Sequence, residues 1–342
     1  MPIEVGPDWY IYGMHFSAMI TTPVNIFGVY VILFCQTKQL ASYRWHLLVF
    51  QVCSMTSDFL LNIGMLPVIF SPFPMGVTHG IFTRIFELFG SEISTEAQCI
   101  MVIVSLFVTA GSVELLFFLR YQAILPASHS NKLTTVFSVI IILIWQIFLI
   151  TLMLLMFKLA IPDQKTARAQ FIELYPDLQY LVASKHVFIV CVVVETIHVI
   201  FLCLCVFRIG IGGTIAIVLI WMSSRALKSV QLSPTTRRIH LQLIRSLCYQ
   251  IAVPILAFYI PIISLVVPLI FTIPNSQTSY FISLLCMSTH TFLGTLSMLY
   301  FNRHYRQWLC SIIRSRKFST SLPTSKIIVA RERLNSYRPA VI

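Results

Sequence analysis

The chain has 342 residues, 57% of them hydrophobic and 11% charged, with a formal net charge of +12 and a mean hydropathy of +0.85. Globular domains run near 45–50% apolar and about 25% charged, and 12 acidic residues cannot cover the surface that a water-soluble chain of this length exposes. A soluble fold, a disordered chain and a collagen-like repeat are excluded, and most of the outer surface faces lipid.

The first nine residues, MPIEVGPDW, carry two acids and no base. That argues against a cleavable signal peptide and makes the first apolar run a membrane anchor. A bilayer core about 30 Å thick takes roughly 20 apolar residues per helix. Six runs meet this plainly, at about 10–35, 45–70, 94–119, 134–157, 246–271 and 279–301. The stretch 186–222 is too long for one ordinary span and short for two, so its count decides the topology.

The distribution of Lys and Arg settles that count, because basic residues flank the cytoplasmic ends of membrane helices. With one crossing at 196–222, the gaps 36–44, 120–133 and 223–245 and the segment 302–342 lie on one side and hold 18 of the 24 Lys and Arg. Two crossings would split the five bases of 223–245 from the nine of 302–342. The prediction is an all-α bundle of seven transmembrane helices, N-terminus outside and C-terminus inside, at the plasma membrane. Residues 1–9 form a short outer segment, 10–301 the membrane domain, 302–318 an amphipathic juxtamembrane helix, and 319–342 a basic Ser/Thr-rich tail. The outer segment KHVFIVCVVVE before the fifth span reads as extended and β-branched. Bases confined to gaps rather than gathered on one face argue against a nucleic-acid partner.

Polar residues inside spans are the candidates for function. Asn25 and Asp58 lie at similar depth in the first and second spans and form a candidate polar cluster. It is either an ion or water network that rearranges or hydrogen-bonded glue between helices. Arg208, near the middle of the fifth span, must face the bundle or water. Glu195 and His198 fall at i, i+3, which would place both on one helix face at the outer mouth. They read as a carboxylate-oriented imidazole or as a structural pair. Cys99 and Cys191 both lie toward the outer side, a candidate disulfide or two buried thiols. The sixth span carries Pro254, Pro261 and Pro268, each removing a backbone donor and loosening the helix.

After the seventh span, FNRHYRQWLCSIIRSRKF sets Phe301, Tyr305, Trp308, Leu309, Ile312 and Ile313 opposite Arg303, Arg306, Arg314 and Arg316, the pattern of a helix lying on the inner leaflet. Cys310 there is a palmitate acceptor or a plain buried thiol. Ser319, Thr320, Ser321, Thr324 and Ser325 are phosphorylation candidates or solvated tail. No HxxxH or HExxH box and no paired nucleophile and base occur, so neither an enzyme nor a cofactor is expected.

Several local motifs narrow the class. HLLVFQVCSMTSDFLLNIGMLPVIFSPFPMGVTHGIF spans the second helix and its outer loop, RYQAILP follows the third, HLQLIRSLCYQIAVP enters the sixth, and FNRHYRQWL follows the seventh. In their order and spacing they resemble the nematode serpentine chemoreceptors of the Str superfamily, most of all its Sri (serpentine receptor class I) and Srh classes. The resemblance implies a receptor in the ciliary membrane of chemosensory neurons that binds a small environmental molecule, an odorant or tastant, and signals through a heterotrimeric G protein. Two departures stand out. The tail reads His304-Tyr305-Arg306 where the family usually has Pro before Tyr-Arg, and, compared with rhodopsin-like receptors, Leu119 rather than an acid precedes Arg120-Tyr121.

Helix directions place His198, Phe201, Phe258, Tyr259, Tyr280, Phe281 and His290 in or near the outer half as ligand contacts. Arg120, Tyr121, Arg237, Arg238, Tyr305 and Arg306 lie at the inner end as G-protein-proximal residues. The rival classes are a ligand-gated cation channel subunit, whose inverted orientation the charge bias opposes, and a small-molecule transporter, for which no paired repeats are visible.

Overall fold

A computed structural model describes residues 3–311 apart from 4, 5, 36–40, 91, 92, 127, 185 and 303. Between 230 and 274 it describes 233, 234, 237, 238, 241, 244, 245, 248, 249, 252, 256, 260, 261, 263, 264, 267, 271 and 273. Pro254, Phe258, Tyr259, Pro268, Arg303 and everything from residue 312 onward, including the Ser/Thr-rich tail, lie outside the described residues.

Among the described residues, six helical stretches are long and apolar enough to cross a membrane. They are α1 (Asp8–Phe34), α2 (Ala41–Phe59) with the π-helical turn Leu60–Met65, α4 (Thr95–Ile124), α5 (Thr135–Ala160), α7 (Thr196–Ser229), and the pair α8 (Gln277–Met287) and α9 (His290–Phe301). In the region of the sixth span, every described position from 234 to 267 is helical. The chain is a seven-helix membrane bundle.

The apolar runs become helices because no water is present in the bilayer core to satisfy backbone groups, which an α-helix satisfies internally. The face each helix turns inward is written in its small and polar residues. In α1 the buried positions are Tyr10, Met14, Ala18, Thr21, Asn25, Gly28, Val31 and Ile32, spaced by three or four as one helical stripe requires. Its other faces expose Tyr12, Phe16, Met19 and Phe27, side chains suited to lipid. A Cβ on Gly28 would lie 2.5 Å from the Thr295 methyl, so glycine there lets α1 close on α9. Around this edge α4 packs against α2, α5 and α7, and α1 against α2 and α9.

Three departures from the sequence reading have physical causes. The second span, expected as helix to residue 70, widens into its π turn, reaches Leu66 in the left-handed region at φ 46 and continues as a strand. Pro67 explains this: the residue before proline is pushed out of the α region, and proline offers no N–H to the preceding turn. The third span overruns its expected end by five residues and stops at Ile124, where Leu125 turns extended before Pro126. The seventh span, expected to be continuous, breaks at Ser288 and Thr289, whose hydroxyls donate to the carbonyls of Leu285 and Cys286 at 2.8 Å. Such back-bonding bends helices. Asn62 of the π turn reaches the Ser288 carbonyl at 3.5 Å, so the two irregular turns adjoin.

The outer end is closed by a small antiparallel sheet of order β1-β2-β3 (Pro67–Ile69, Met75–Thr78, Phe188–Ile189), pairing Val68 with Val77 and Gly76 with Phe188. The short helix α3 (Ile81–Leu88) follows β2, and α6 (Gln164–Leu174) lies beside β3. Side chains replace missing ladder bonds here. The Gln164 amide both donates to the Ile189 carbonyl and accepts from its N–H, at 2.9 Å each, as a strand neighbour would. Arg168 donates to the carbonyls of Val182, Ser184 and Val187 at 2.6–2.9 Å. Beneath them Tyr10, Val68, Phe70, Phe171, Ile189 and Phe281 form one buried core, with the Tyr10 and Phe281 rings stacked at 4.4 Å and the Tyr10 hydroxyl donating to the Pro67 carbonyl at 2.7 Å. A second core at the inner end gathers Val31, Leu47, Tyr121, Leu227 and Tyr305.

Candidate functional site

Two polar knots lie inside the bundle, each built by residues that the lipid environment would otherwise penalise. The first joins α4, α5 and α7. Arg208 donates from its Nη1 to Glu114 Oε1 at 2.7 Å, Gln146 Nε2 donates to Glu114 Oε2 at 2.7 Å, and Arg208 Nη2 donates to Gln146 Oε1 at 3.2 Å. The three side chains close a ring in which each carboxylate oxygen has its own donor. Arg208 and Glu114 are 6% and 2% exposed, and the guanidinium also stands 5.3 Å from the Phe107 ring centre, within cation–π range. Two small residues make the ring possible. A Cβ on Gly111 would come 2.6 Å from the Gln146 side chain, and one on Gly212 would come 3.1 Å from Arg208 Nη1.

The second knot joins α1, α2 and α9. Asn25 Nδ2 donates to Asp58 Oδ2 at 3.3 Å, the Thr295 hydroxyl donates to Asn25 Oδ1 at 2.8 Å, and Gln51 Nε2 donates to Thr295 Oγ1 at 2.7 Å. His290 Nδ1 stands 3.1 Å from Asp58 Oδ1 and 2.8 Å from the Met287 carbonyl. Both neighbours are acceptors, so this nitrogen carries a proton. His290 Nε2 meets the Thr291 hydroxyl at 3.1 Å, and Thr291 meets Ser54 at 3.0 Å.

Between the knots lies a cavity of about 340 Å³. Glu114 and Arg208 line it on one side, His290, Thr291 and Thr295 on the other. Phe50, Phe107, Val113, Met153 and Phe201 supply apolar wall, and Ala110, Gly213 and Gly294 leave the space open. The volume falls at the small end of the roughly 300–1,000 Å³ usual for small-molecule pockets. The cavity therefore suits a compact, mainly apolar guest, held against helices that two hydrogen-bonded knots keep in register.

The sequence-predicted residues divide clearly. Asn25 and Asp58 meet, with His290 as a third member. Phe201 and His290 line the cavity. His198 does not; it lines a separate outer pocket of about 530 Å³ with Gln170, Glu173, Cys191 and Glu195. Glu195 is no helix-face partner for it, because α7 begins at Thr196 and the contact is the Glu195 backbone N–H donating to His198 Nδ1 at 3.0 Å. Tyr280 and Phe281 are buried, 4% and 2% exposed, and Phe281 is committed to Tyr10 in the outer core. Phe258 and Tyr259 lie outside the described residues. Cys99 and Cys191 are free thiols rather than a bridge. Burial first, and then the charge of Glu195, pushes the Cys191 thiol up to about 11.

At the inner end Arg237, Arg238 and Arg306 are exposed. Arg120, Tyr121 and Tyr305 are buried, the two tyrosines in the inner core. The described part of the juxtamembrane segment, 304–311, is helical, and Tyr30 reaches Trp308 at 6.2 Å between ring centres. The sequence reading missed Gln146 and the pairing of Glu114 with Arg208. The available signal was an acid, Glu114, more than four turns inside one apolar run and a lone Arg near the middle of another.

Seven apolar helices around a compact internal cavity, beneath a small outer sheet, have the architecture of a serpentine membrane protein. The family model described as serpentine type 7TM GPCR chemoreceptor Srh matches residues 6–315, nearly the whole chain, and the protein belongs to that family. It is a multi-pass membrane protein of the seven-transmembrane chemoreceptor class, a class that is generally not enzymatic. No curated protein matches the chain.

Proposed function

We propose that the protein is a chemosensory receptor that takes a small environmental molecule into the cavity between α2, α4, α7 and α9 and signals through a heterotrimeric G protein at its inner end. The observation that carries this reading is that one cavity touches both polar knots, so a guest there bears on the packing of nearly every helix at once. A ligand shifts a conformational equilibrium only through contacts that differ between the two states. Residues shared between the cavity wall and the knots, Arg208, Glu114, His290 and Thr291, supply such contacts. Phe201 and His290 are the ligand-facing members of the predicted set. Arg237, Arg238 and Arg306 are the exposed inner-end groups suited to an intracellular partner, with Arg120, Tyr121 and Tyr305 in the packing that would rearrange.

The basic inner side supports an N-terminus outside and a C-terminus inside, and the family supports residence in the ciliary membrane of chemosensory neurons. The test is a reporter cell expressing the full chain, screened with water-soluble and volatile compounds through calcium or cAMP. A response that vanishes on G-protein inactivation and on filling the cavity with Gly294→Phe is expected. A response that survives loss of all G-protein activity overturns the coupling.

A further inference from the structure

One helix of the outer end keeps no side chain in the interior. Along Ile81–Leu88 not one residue of α3 is buried, although at 100° per residue Ile81, Phe82, Ile85, Phe86 and Leu88 fall within an arc of about 160°. Thr83, Arg84 and Glu87 take the rest of the circumference. Leu88 and the Phe89 that follows it are 85% and 83% exposed. A contiguous apolar face of this kind marks an interaction surface.

What covers it follows from three placements. The polar side is turned to the protein: the Thr83 hydroxyl meets that of Thr78 at 3.0 Å and accepts from Gln98 Nε2 at 3.2 Å, and His186 Nε2 stands 3.4 Å from Glu87 Oε1. The start of the helix is fastened to the end of the second span, where the His79 and Gly80 N–H groups donate to the carbonyls of Leu66 and Met65 at 3.1 and 2.9 Å. The apolar side runs into the lipid-facing surface of the bundle through Phe82. Its ring meets Phe59 edge-on at 6.2 Å and lies so close to Gly64 that a Cβ there would come within 2.7 Å of it, and Phe59 is itself exposed on α2. Depth agrees. The Tyr10 hydroxyl reaches the Pro67 carbonyl, so Met65 and the start of α3 lie close to the level of the exposed rings of Trp9 and Tyr12, an aromatic pair of the kind that marks a membrane interface.

We propose that α3 docks on the outer leaflet of the membrane, its apolar arc among the acyl chains just beneath the headgroups, and thereby tethers the outer sheet to the bilayer. The partner is a phospholipid surface. Arg84 is exposed one turn from Leu88 at the edge of the arc, where a guanidinium meets the phosphate layer while its stem lies along apolar surface. The tether follows from the order of elements: α3 begins three residues after β2, the central strand, ends at Thr78. A second copy of the chain is the rival occupant, and the experiment separates the two.

The full chain in phosphatidylcholine liposomes carries a photoreactive benzoylphenylalanine in place of Leu88 or, as control, of Glu87, and its adducts after irradiation are identified by mass spectrometry. One added phospholipid is expected, several-fold more often from position 88 than from 87. No lipid adduct at 88, or a receptor dimer in its place, overturns the proposal. Should the bulky label prevent folding, Leu88→Trp replaces it. Its fluorescence, taken as the difference from the parent chain, must fall when the lipid is brominated high in the acyl chain, and an unchanged difference is equally fatal. The tether is read separately from Leu88→Asp and Phe89→Asp in one chain, which put two charges at the interface. They are expected to speed amide exchange over residues 67–78 several-fold, and exchange at the parent rate overturns the tether.

Discussion

The two polar knots differ in how their partners are counted. In the Glu114–Arg208–Gln146 ring three side chains hold one another directly, and each comes from a different helix. Around Asp58 the partners are an amide and an imidazole, with Thr291 and Ser54 extending from His290 and Thr295 and Gln51 extending from Asn25, two arms in which several groups can both give and accept. The first arrangement is brittle, since removing Arg208 or Glu114 strands the other's charge in a dry interior. The second is tolerant, since neighbouring hydroxyls can turn to a new partner. A receptor needs both: a fixed clasp on one side of its cavity and an adaptable seam on the other, where the π turn and the break at Ser288 already loosen the helices.

The largest expected effect breaks the clasp. Arg208→Met leaves the Glu114 charge buried without its cation, which costs about 3–5 kcal/mol. Thermal unfolding of the purified receptor should show it, or folded material at the cell surface should be lost. Adding Glu114→Met to the same chain should recover most of that loss, because an apolar pair of similar volume replaces a desolvated ion pair at little cost. A double variant as unstable as the single would show that the ring acts through something other than its charges.

The seam should respond far less. Thr295→Val removes the hydroxyl between Asn25 and Gln51 and is expected to cost about 0.6 kcal/mol, the usual scale for a hydrogen bond between membrane helices. A loss as large as that of Arg208→Met would erase the distinction between brittle and tolerant knots.

Outside the membrane a third carboxylate gives the smallest effect. Asp163 caps α6, accepting from the Thr166 N–H and hydroxyl at 3.0 Å, and these bonds hold its carboxyl below the usual carboxylate range. A depressed native value means that the cap is at full strength above the ordinary Asp range and weakens as pH falls through the lowered one. Asp163→Ser also caps but does not titrate. The melting temperatures of the two proteins should keep a constant difference above about pH 5 and converge below about pH 4. Parallel profiles throughout would deny the carboxylate this role.

How much of this could be read from residues alone follows the physics of each signal. The spans were legible because lipid demands long apolar runs, and their direction because basic residues cluster on one side. Asn25 and Asp58 were legible as a pair because both sit at one depth in adjacent runs. Arg208 was legible as a charge that had to face the bundle, but its partner was not, since Glu114 arrives from another helix and only the packing of α4 against α7 joins them. The sheet was out of reach: strands of two to four residues carry no period, and the third is held by Gln164 and approached by Arg168 from elsewhere in the chain. His290 gave no sign that it would face Asp58, because the turn at Ser288 that aims it depends on hydroxyls whose bonds only the fold determines.

The π turn at Leu60–Met65 resets the phase of the chain between Asp58 and the outer sheet. One residue more than the α-helical period shifts the chain beyond Asp58 so that Pro67 starts a strand opposite Thr78. An in-frame loss of a single codon between 60 and 65 would straighten the turn and rotate everything beyond it by about 100°, so this short stretch resists length change more than the loops around it.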